Sequence, residues 1–227
     1  MNAGDLGTIV VAVDGTSGSG KSSTCRGVAA RLGIRYLDTG AMYRAVTWWL
    51  LEHGVDVHDP AAVASYAAAP RLRSATDPLA PTICVDDRDV SVEIRSEAVN
   101  AAVSPVSAVP AVRERLVALQ REIIGDGGIV VEGRDIASVV WPDAEVKVYL
   151  TADPSARAAR RAAENGAADL SATEASLLSR DRIDSGRAVA PLTMVEGAVQ
   201  VDSTDLTLDE VIDLVAGLVT ERATART

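Results

Sequence analysis

Gly15-Thr-Ser-Gly-Ser-Gly20-Lys21-Ser22 decides the fold of this 227-residue chain. The stretch fits the phosphate-loop pattern G-x-x-x-x-G-K-[ST] and has the flanks that the pattern needs. The run before it, Thr8-Ile-Val-Val-Ala-Val-Asp14, reads as a buried strand, and residues 22–32 read as a helix stopped by Gly33. Gly15, Gly18 and Gly20 let the backbone curl so that its N–H groups converge on a polyphosphate at the positive end of that helix. Lys21 then reaches the terminal phosphates, and the Ser22 hydroxyl is the candidate ligand for Mg²⁺. The candidate triphosphate-binding set is Gly15, Thr16, Ser17, Gly18, Ser19, Gly20, Lys21, Ser22 and Ser23. A chance match by a Gly/Ser-rich turn is the competing reading, and the strand, the helix and the Lys-Ser ending all speak against it. Only two lysines, Lys21 and Lys147, occur among 22 basic residues. A chain that otherwise uses arginine has kept a compact ammonium at this loop, where a phosphate point charge is wanted.

Hydrophobic residues make up 48% of the chain, enough for one substantial core with small appended subdomains. No run approaches the roughly 20 apolar residues of a membrane span. Residues 1–7 lack the charged and apolar regions of a secretory signal, so a cytoplasmic location is expected. Cys25 and Cys84 have no C-x-x-C or histidine company; two free thiols in a reducing compartment are the expectation and a disulfide the alternative. His53 and His58 lack metal-ligand neighbours and read as surface or helix-end residues. A net charge of −10 disfavours nucleic acid and anionic membrane as partners. The acidic surface and the lack of a heptad pattern favour a monomer. An acidic protein that handles phosphates must concentrate its positive charge locally.

Strand and helix patterns alternate along the chain. A short strand at 34–37 precedes helical residues 41–53, and Asp59-Pro60 caps a small helix reaching about residue 69. Residues 71–95 read as a small antiparallel insertion, with Asp86-Asp87-Arg88-Asp89 as a hairpin turn. Helices follow from Ser96 and over 110–124, the latter with Val112, Leu116, Leu119 and Ile123 on one face. Core strands resume at 128–131 and 145–150, and Asp153-Pro154 starts an Arg-rich helix. Ser171-x-x-Glu174 and Thr207-x-x-Glu210 read as capping boxes, residues 197–201 as the last strand, and 223–227 as a frayed tail. This alternation predicts an α/β protein, a parallel sheet with helices on both faces.

Three further clusters carry charge. Asp38-Thr39-Gly40-Ala41-Met42-Tyr43-Arg44 follows the second strand, at the carboxyl end where ligands of open parallel sheets sit. Arg44 is placed to fork onto a second phosphate; an ordinary cap with a surface arginine reads these residues equally well. Gly133-Arg134-Asp135 follows the next core strand, with Arg134 a phosphate ligand and Asp135 an acceptor for a base amine or hydroxyl, or the two a structural salt bridge. In Arg180-Asp181-Arg182-Ile183-Asp184-Ser185-Gly186-Arg187, a helix puts Arg180, Asp184 and Arg187 on one face. A solvated charge run is the alternative, while Gly186 and Pro191 suggest a lid that opens and closes. The Asn-Lys-x-Asp base-reading motif of switch GTPases is absent.

Together the phosphate loop, Asp38 to Arg44, Val90-Ser-x-Glu-Ile-Arg95, Gly133-Arg-Asp135, Pro142-Asp-Ala144 and Arg180 to Pro191 resemble the bacterial cytidylate (CMP/dCMP) kinase family. The matches run in order from about residue 9 to Thr204. The resemblance implies a P-loop nucleoside-monophosphate-kinase fold: a five-stranded parallel sheet flanked by helices, with an inserted small antiparallel monophosphate-binding domain and a short lid. The expected bounds are 8–40, 110–165 and 195–222 for the core, about 41–109 for the insertion, and about 166–192 for the lid. The implied reaction moves a phosphoryl group from ATP, with Mg²⁺, to CMP or dCMP. At matching positions, Arg44, Arg134 and Arg187 hold the acceptor phosphate and the transferring group, and Ser104, Arg113 and Asp135 read cytosine. Arg180 and Asp184 engage the pentose and lid-side phosphates, and Thr39 and Tyr43 line the acceptor pocket. Lys21, Arg134, Arg180 and Arg187 are the implied catalytic groups. Thr39 stands where serine is frequent, and Ala137-Ser138 where Gly-Thr is frequent. A kinase of the same fold for UMP, AMP or a small metabolite is the first alternative, and a nucleotide-dependent switch the second.

Overall fold

Six consecutive buried residues, Val10–Gly15, form strand β1 at the centre of the main sheet. A strand can be apolar on both faces only when helices cover both, and β1 has parallel partners on each side. Val11 pairs with Val130 of one neighbour and with Val146 of the other. A computed structural model describes residues 6–165, 169–187 and 191–225. In chain order, β1 is followed by α1 (Lys21–Leu32), β2 (Arg35–Asp38), α2 (Thr39–Glu52), α3 (Pro60–Tyr66), β3 (Leu72–Ser74), β4 (Ile83–Val85) and β5 (Arg88–Asp89). Then come α4 (Glu97–Ala108), α5 (Pro110–Ile124), β6 (Ile129–Glu132), β7 (Val146–Thr151), α6 (Pro154–Asn165), α7 (Leu170–Ser185), β8 (Val199–Asp202) and α8 (Leu208–Thr224). The main sheet has five strands in the order β2-β6-β1-β7-β8. Its core packs Val11, Val13, Val130 and Val148 against Val28 and Ala29 of α1 and against Val211, Val215 and Val219 of α8. The expected α/β architecture is the one observed.

The chain divides into two compact units, one made of residues up to Tyr36 with those from Asp126 onward, the other of Leu37–Gly125. Helix α5 lies within the second of these units. Its buried Val112 and Leu116 belong to a face that packs on α2, α3 and α4. The second unit also holds the antiparallel sheet β3-β4-β5, as expected for the insertion. Its tight turn is Asp86-Asp87 alone, both at positive φ (48° and 68°), as two-residue hairpins require, and Arg88–Asp89 is already strand.

Local details depart from the sequence expectation in understandable ways. Helix α7 is capped not by Ser171 but by Asp169, whose side chain accepts from Ala172 N at 2.9 Å. Aspartate caps as well as serine does, and it starts the helix one residue before Ser171. The Thr207/Glu210 capping box forms as expected. Helix α8 continues to Thr224 with Ala223 buried, so fraying does not begin at 223; residues 226–227 lie outside the described residues. Residues 166–168 and 188–190 of the expected lid also lie outside them, as do 1–5. His53 ends α2 and stacks on Trp49 at 3.8 Å. Cys25 is buried and Cys84 half-buried, and neither is in a disulfide. Among the described residues, no helix is long and apolar enough to cross a membrane.

Candidate active site

The phosphate loop is held by its own atoms before any ligand arrives. A Cβ on Gly15 would lie 2.0 Å from the Leu150 carbonyl oxygen, so only glycine lets the loop leave β1 beside β7. Gly20 stands at the head of α1 with φ 86° and offers no side-chain cap, which leaves the first N–H groups of the helix for an anion. Lys21 Nζ donates to Thr16 O at 2.6 Å, and Ser19 Oγ donates to the same carbonyl at 3.0 Å. The Thr16 hydroxyl is buried in the loop and has no hydrogen-bond partner among the described residues. Burial, and then the charge of Arg134, pull the Lys21 ammonium down to about 7, while Glu132 opposes both. An arriving polyanion reverses that balance.

Glu132, at the end of β6, is a site residue that sequence reasoning missed. It is buried, accepts from Ser22 Oγ at 3.1 Å, and accepts from the Tyr36 hydroxyl. The pair of hard oxygens, Ser22 hydroxyl and Glu132 carboxylate, suits Mg²⁺ chemistry. Among the described residues no cluster of three or more His, Cys, Asp or Glu could cage a metal.

Helix α7 brings its charges to the same strand ends. Arg134 Nε donates to Asp184 Oδ2 at 2.9 Å, and Arg187, just past the end of the helix, pairs with Asp184 Oδ1. Burial by itself would raise the Asp184 carboxyl, but Arg134 and Arg187 override it and hold the group below the usual carboxylate range. Arg180 is lowered to about 10 by burial and by the neighbouring Arg134 charge, and its Nε is buried without an acceptor among the described residues. Three of the arginines expected from sequence, Arg134, Arg180 and Arg187, thus converge around one carboxylate. Asp181 does what the sequence did not suggest: its Oδ1 accepts from Ser17 N at 2.9 Å, and its Oδ2 pairs with buried Arg157. Arg157 in turn donates to Ser17 O at 2.9 Å, tying α6 and α7 to the phosphate loop. The signal for Arg157 was no stronger than its place in an arginine-rich helix.

In the second unit, Thr39 is buried in the first turn of α2, capped by Asp38 through Ala41 N at 2.9 Å. The Arg113 guanidinium lies 5.7 Å from the Tyr43 ring centroid and donates to Ser107 O at 3.3 Å, while Ser107 Oγ donates to Ser104 O at 2.9 Å. Tyr43, Ser104 and Arg113 therefore form one connected, largely buried group. Arg44 is engaged elsewhere in the unit, donating to Asn100 Oδ1 at 2.7 Å and Ile94 O at 3.2 Å. In the first unit, Asp135 is buried three residues beyond the end of β6 and precedes a π-type turn at Ile136–Val140.

A phosphate loop and a converging set of cations are the parts that phosphoryl transfer calls for. The sequence profile described as cytidylate kinase matches residues 11–221. The chain belongs to the cytidylate kinase family. A cytidylate kinase of Streptomyces griseus is 56% identical over 214 residues, covering 93% of each chain. That of Streptomyces avermitilis is 53% identical over 220 residues, covering 96% of this chain and 95% of the relative. That of Rhodococcus jostii is 52% identical over 222 residues, covering 96% and 97%. The protein is thus a kinase, and membership of the cytidylate kinase family implies ATP as its phosphoryl donor.

Proposed function

We propose that the protein transfers the γ-phosphoryl group of ATP to CMP and dCMP, giving CDP and dCDP. The observation that carries the reading is the convergence of Arg134 and Arg187 on Asp184, with the Arg180 charge also acting on it, beside a complete phosphate loop, in a chain with this family membership. The acceptor is already an anionic phosphate, so no side-chain base is required. The work of the protein is alignment, exclusion of water and compensation of charge. Lys21 and the N–H groups at the head of α1 take the donor phosphates. Arg134, Arg180 and Arg187 compensate the charge on the transferring group, with Arg134 and Arg187 exchanging their shared carboxylate for phosphate oxygens. Asp135, Ser104 and Arg113 recognise the cytosine, Arg44 the acceptor phosphate, Asp184 the pentose, and Thr39 and Tyr43 the walls of the acceptor pocket. Ser22, aimed by Glu132, would hold Mg²⁺, which supplies charge neutralisation at the donor phosphates. The protein acts as a monomer in the cytoplasm, a compartment that suits two cysteines in no disulfide.

A coupled assay with ATP, Mg²⁺ and a panel of CMP, dCMP, UMP and AMP tests the reading. The expected outcome is a kcat/KM for CMP or dCMP at least about 100-fold above that for AMP, because a site built to hydrogen-bond one base leaves buried polar groups unpaired with another. Preference for UMP, AMP or a non-nucleotide acceptor overturns the assignment.

A further inference from the structure

Asp14, the last side chain of β1 before the phosphate loop, has no part in the roles above. Its carboxylate is buried, with 3% of the residue exposed. Oδ1 accepts from Ile136 N and Oδ2 from Ala137 N, each at 2.8 Å. These are the first two N–H groups of the π-type turn at Ile136–Val140, which directly follows Arg134 and Asp135. The residue at the head of a helical turn ordinarily satisfies such donors with its own side chain. Asp135 stands at that position and its carboxylate makes no capping bond. The cap is delivered from another strand, more than 120 residues away in sequence.

We propose that Asp14 is a positioning residue for the acceptor: by capping the 136–140 turn from β1, it relieves Asp135 of that duty and fixes Asp135 and Arg134 for the base and phosphate of CMP. The inference rests on the reading of Asp135 and Arg134 given under the proposed function. The same residue is joined covalently to Gly15, so one carboxylate holds the acceptor turn in register with the root of the donor loop. The charged groups facing Asp14 are Asp135 and Lys21. Keeping a buried carboxylate there is unfavourable for folding: burial pushes it up to about 6 although both backbone bonds pull it down. An asparagine would avoid that penalty, but it has one acceptor oxygen and would turn an NH₂ group against the second N–H.

The test is Asp14→Asn in full-length protein, with initial rates measured while CMP and ATP are varied separately. The expected result is a rise of about tenfold or more in KM for CMP, with KM for ATP within about threefold of the wild type, as loss of a charge-assisted bond at the acceptor side alone requires. Hydrogen exchange at the Ile136 and Ala137 amides should accelerate in the same variant. Equal movement of both KM values, or movement of neither, overturns the proposal. If Asp14→Asn does not yield folded protein, Asp14→Ser is read by the same split, since it also leaves one of the two donors unmatched. Wild-type enzyme is the control arm: failure to phosphorylate CMP or dCMP overturns the functional reading itself, whereas normal wild-type turnover with no split in the variant overturns only the assignment of Asp14.

Discussion

The phosphate loop and helix α7 hold their positive character in opposite ways. At the loop it comes from backbone N–H groups and one lysine whose Nζ donates to the Thr16 carbonyl, 2.6 Å away. On and beside α7 it comes from guanidinium groups that are already paired: Arg134 and Arg187 with Asp184, Arg157 with Asp181. The first arrangement is prepared for an anion by its backbone and breaks no ion pair to receive one. The second stores its charge as internal ion pairs and must trade partners when phosphate arrives. Catalytic power and folding stability should therefore respond differently to damage in the two regions.

Lys21→Ala carries the largest expected effect on turnover. Removing one preorganised cation from a phosphoryl-transfer site costs roughly 10²–10³-fold in kcat. The folded state should barely notice, because a buried, desolvated ammonium with a carbonyl partner contributes little net stability. Steady-state rates and a thermal melt on the same preparation check this, and near-normal activity would contradict the assigned role.

Asp184→Asn should invert the pattern. It leaves Arg134 and Arg187 facing a neutral amide in a buried setting, where breaking one partner of an ion pair costs about 3 kcal/mol of stability. Turnover should fall about 10- to 100-fold as the two arginines lose their common anchor. Denaturant unfolding followed beside kcat decides the matter. A variant as stable as the wild type would mean that the α7 charges are not held by internal pairing.

The same contrast explains what could be read from sequence. The loop, its strand and its helix are consecutive in the chain, so local pattern carries nearly all of their geometry. Arg134, Arg180, Asp184 and Arg187 were visible as charges at strand ends and on one short segment, and the structure brings them together. Asp14, Glu132 and Arg157 were not visible as site residues. Each acts through a partner more than 100 residues away, Ile136 for Asp14, Ser22 for Glu132 and Ser17 for Arg157, and no periodicity encodes such a pairing. The neighbours of α5 are illegible in the sequence for a related reason. Its apolar stripe shows that one face is buried but not which neighbours bury it.

Between the two regions stands Asp14, and its titration gives the smallest but cleanest effect. Its folded-state value of about 6 lies above the ordinary 3.8, so the folded protein binds this proton more tightly than the unfolded chain does. The contribution to stability is therefore complete below the unfolded value and is lost as pH rises through about 6. Lowering the pH from 7 to 5 should stabilise the wild type relative to Asp14→Asn by roughly 1 kcal/mol. Taking the difference between the two proteins at each pH cancels the other titrating groups that they share. Denaturant titrations at pH 5, 6 and 7 supply the numbers, and a difference that stays flat, or runs the other way, would show that Asp14 is not buried as an ion at neutral pH. A positive result would mean that the carboxylate lowers folding stability where the enzyme works and is kept there for the turn it holds, a trade of stability for active-site geometry.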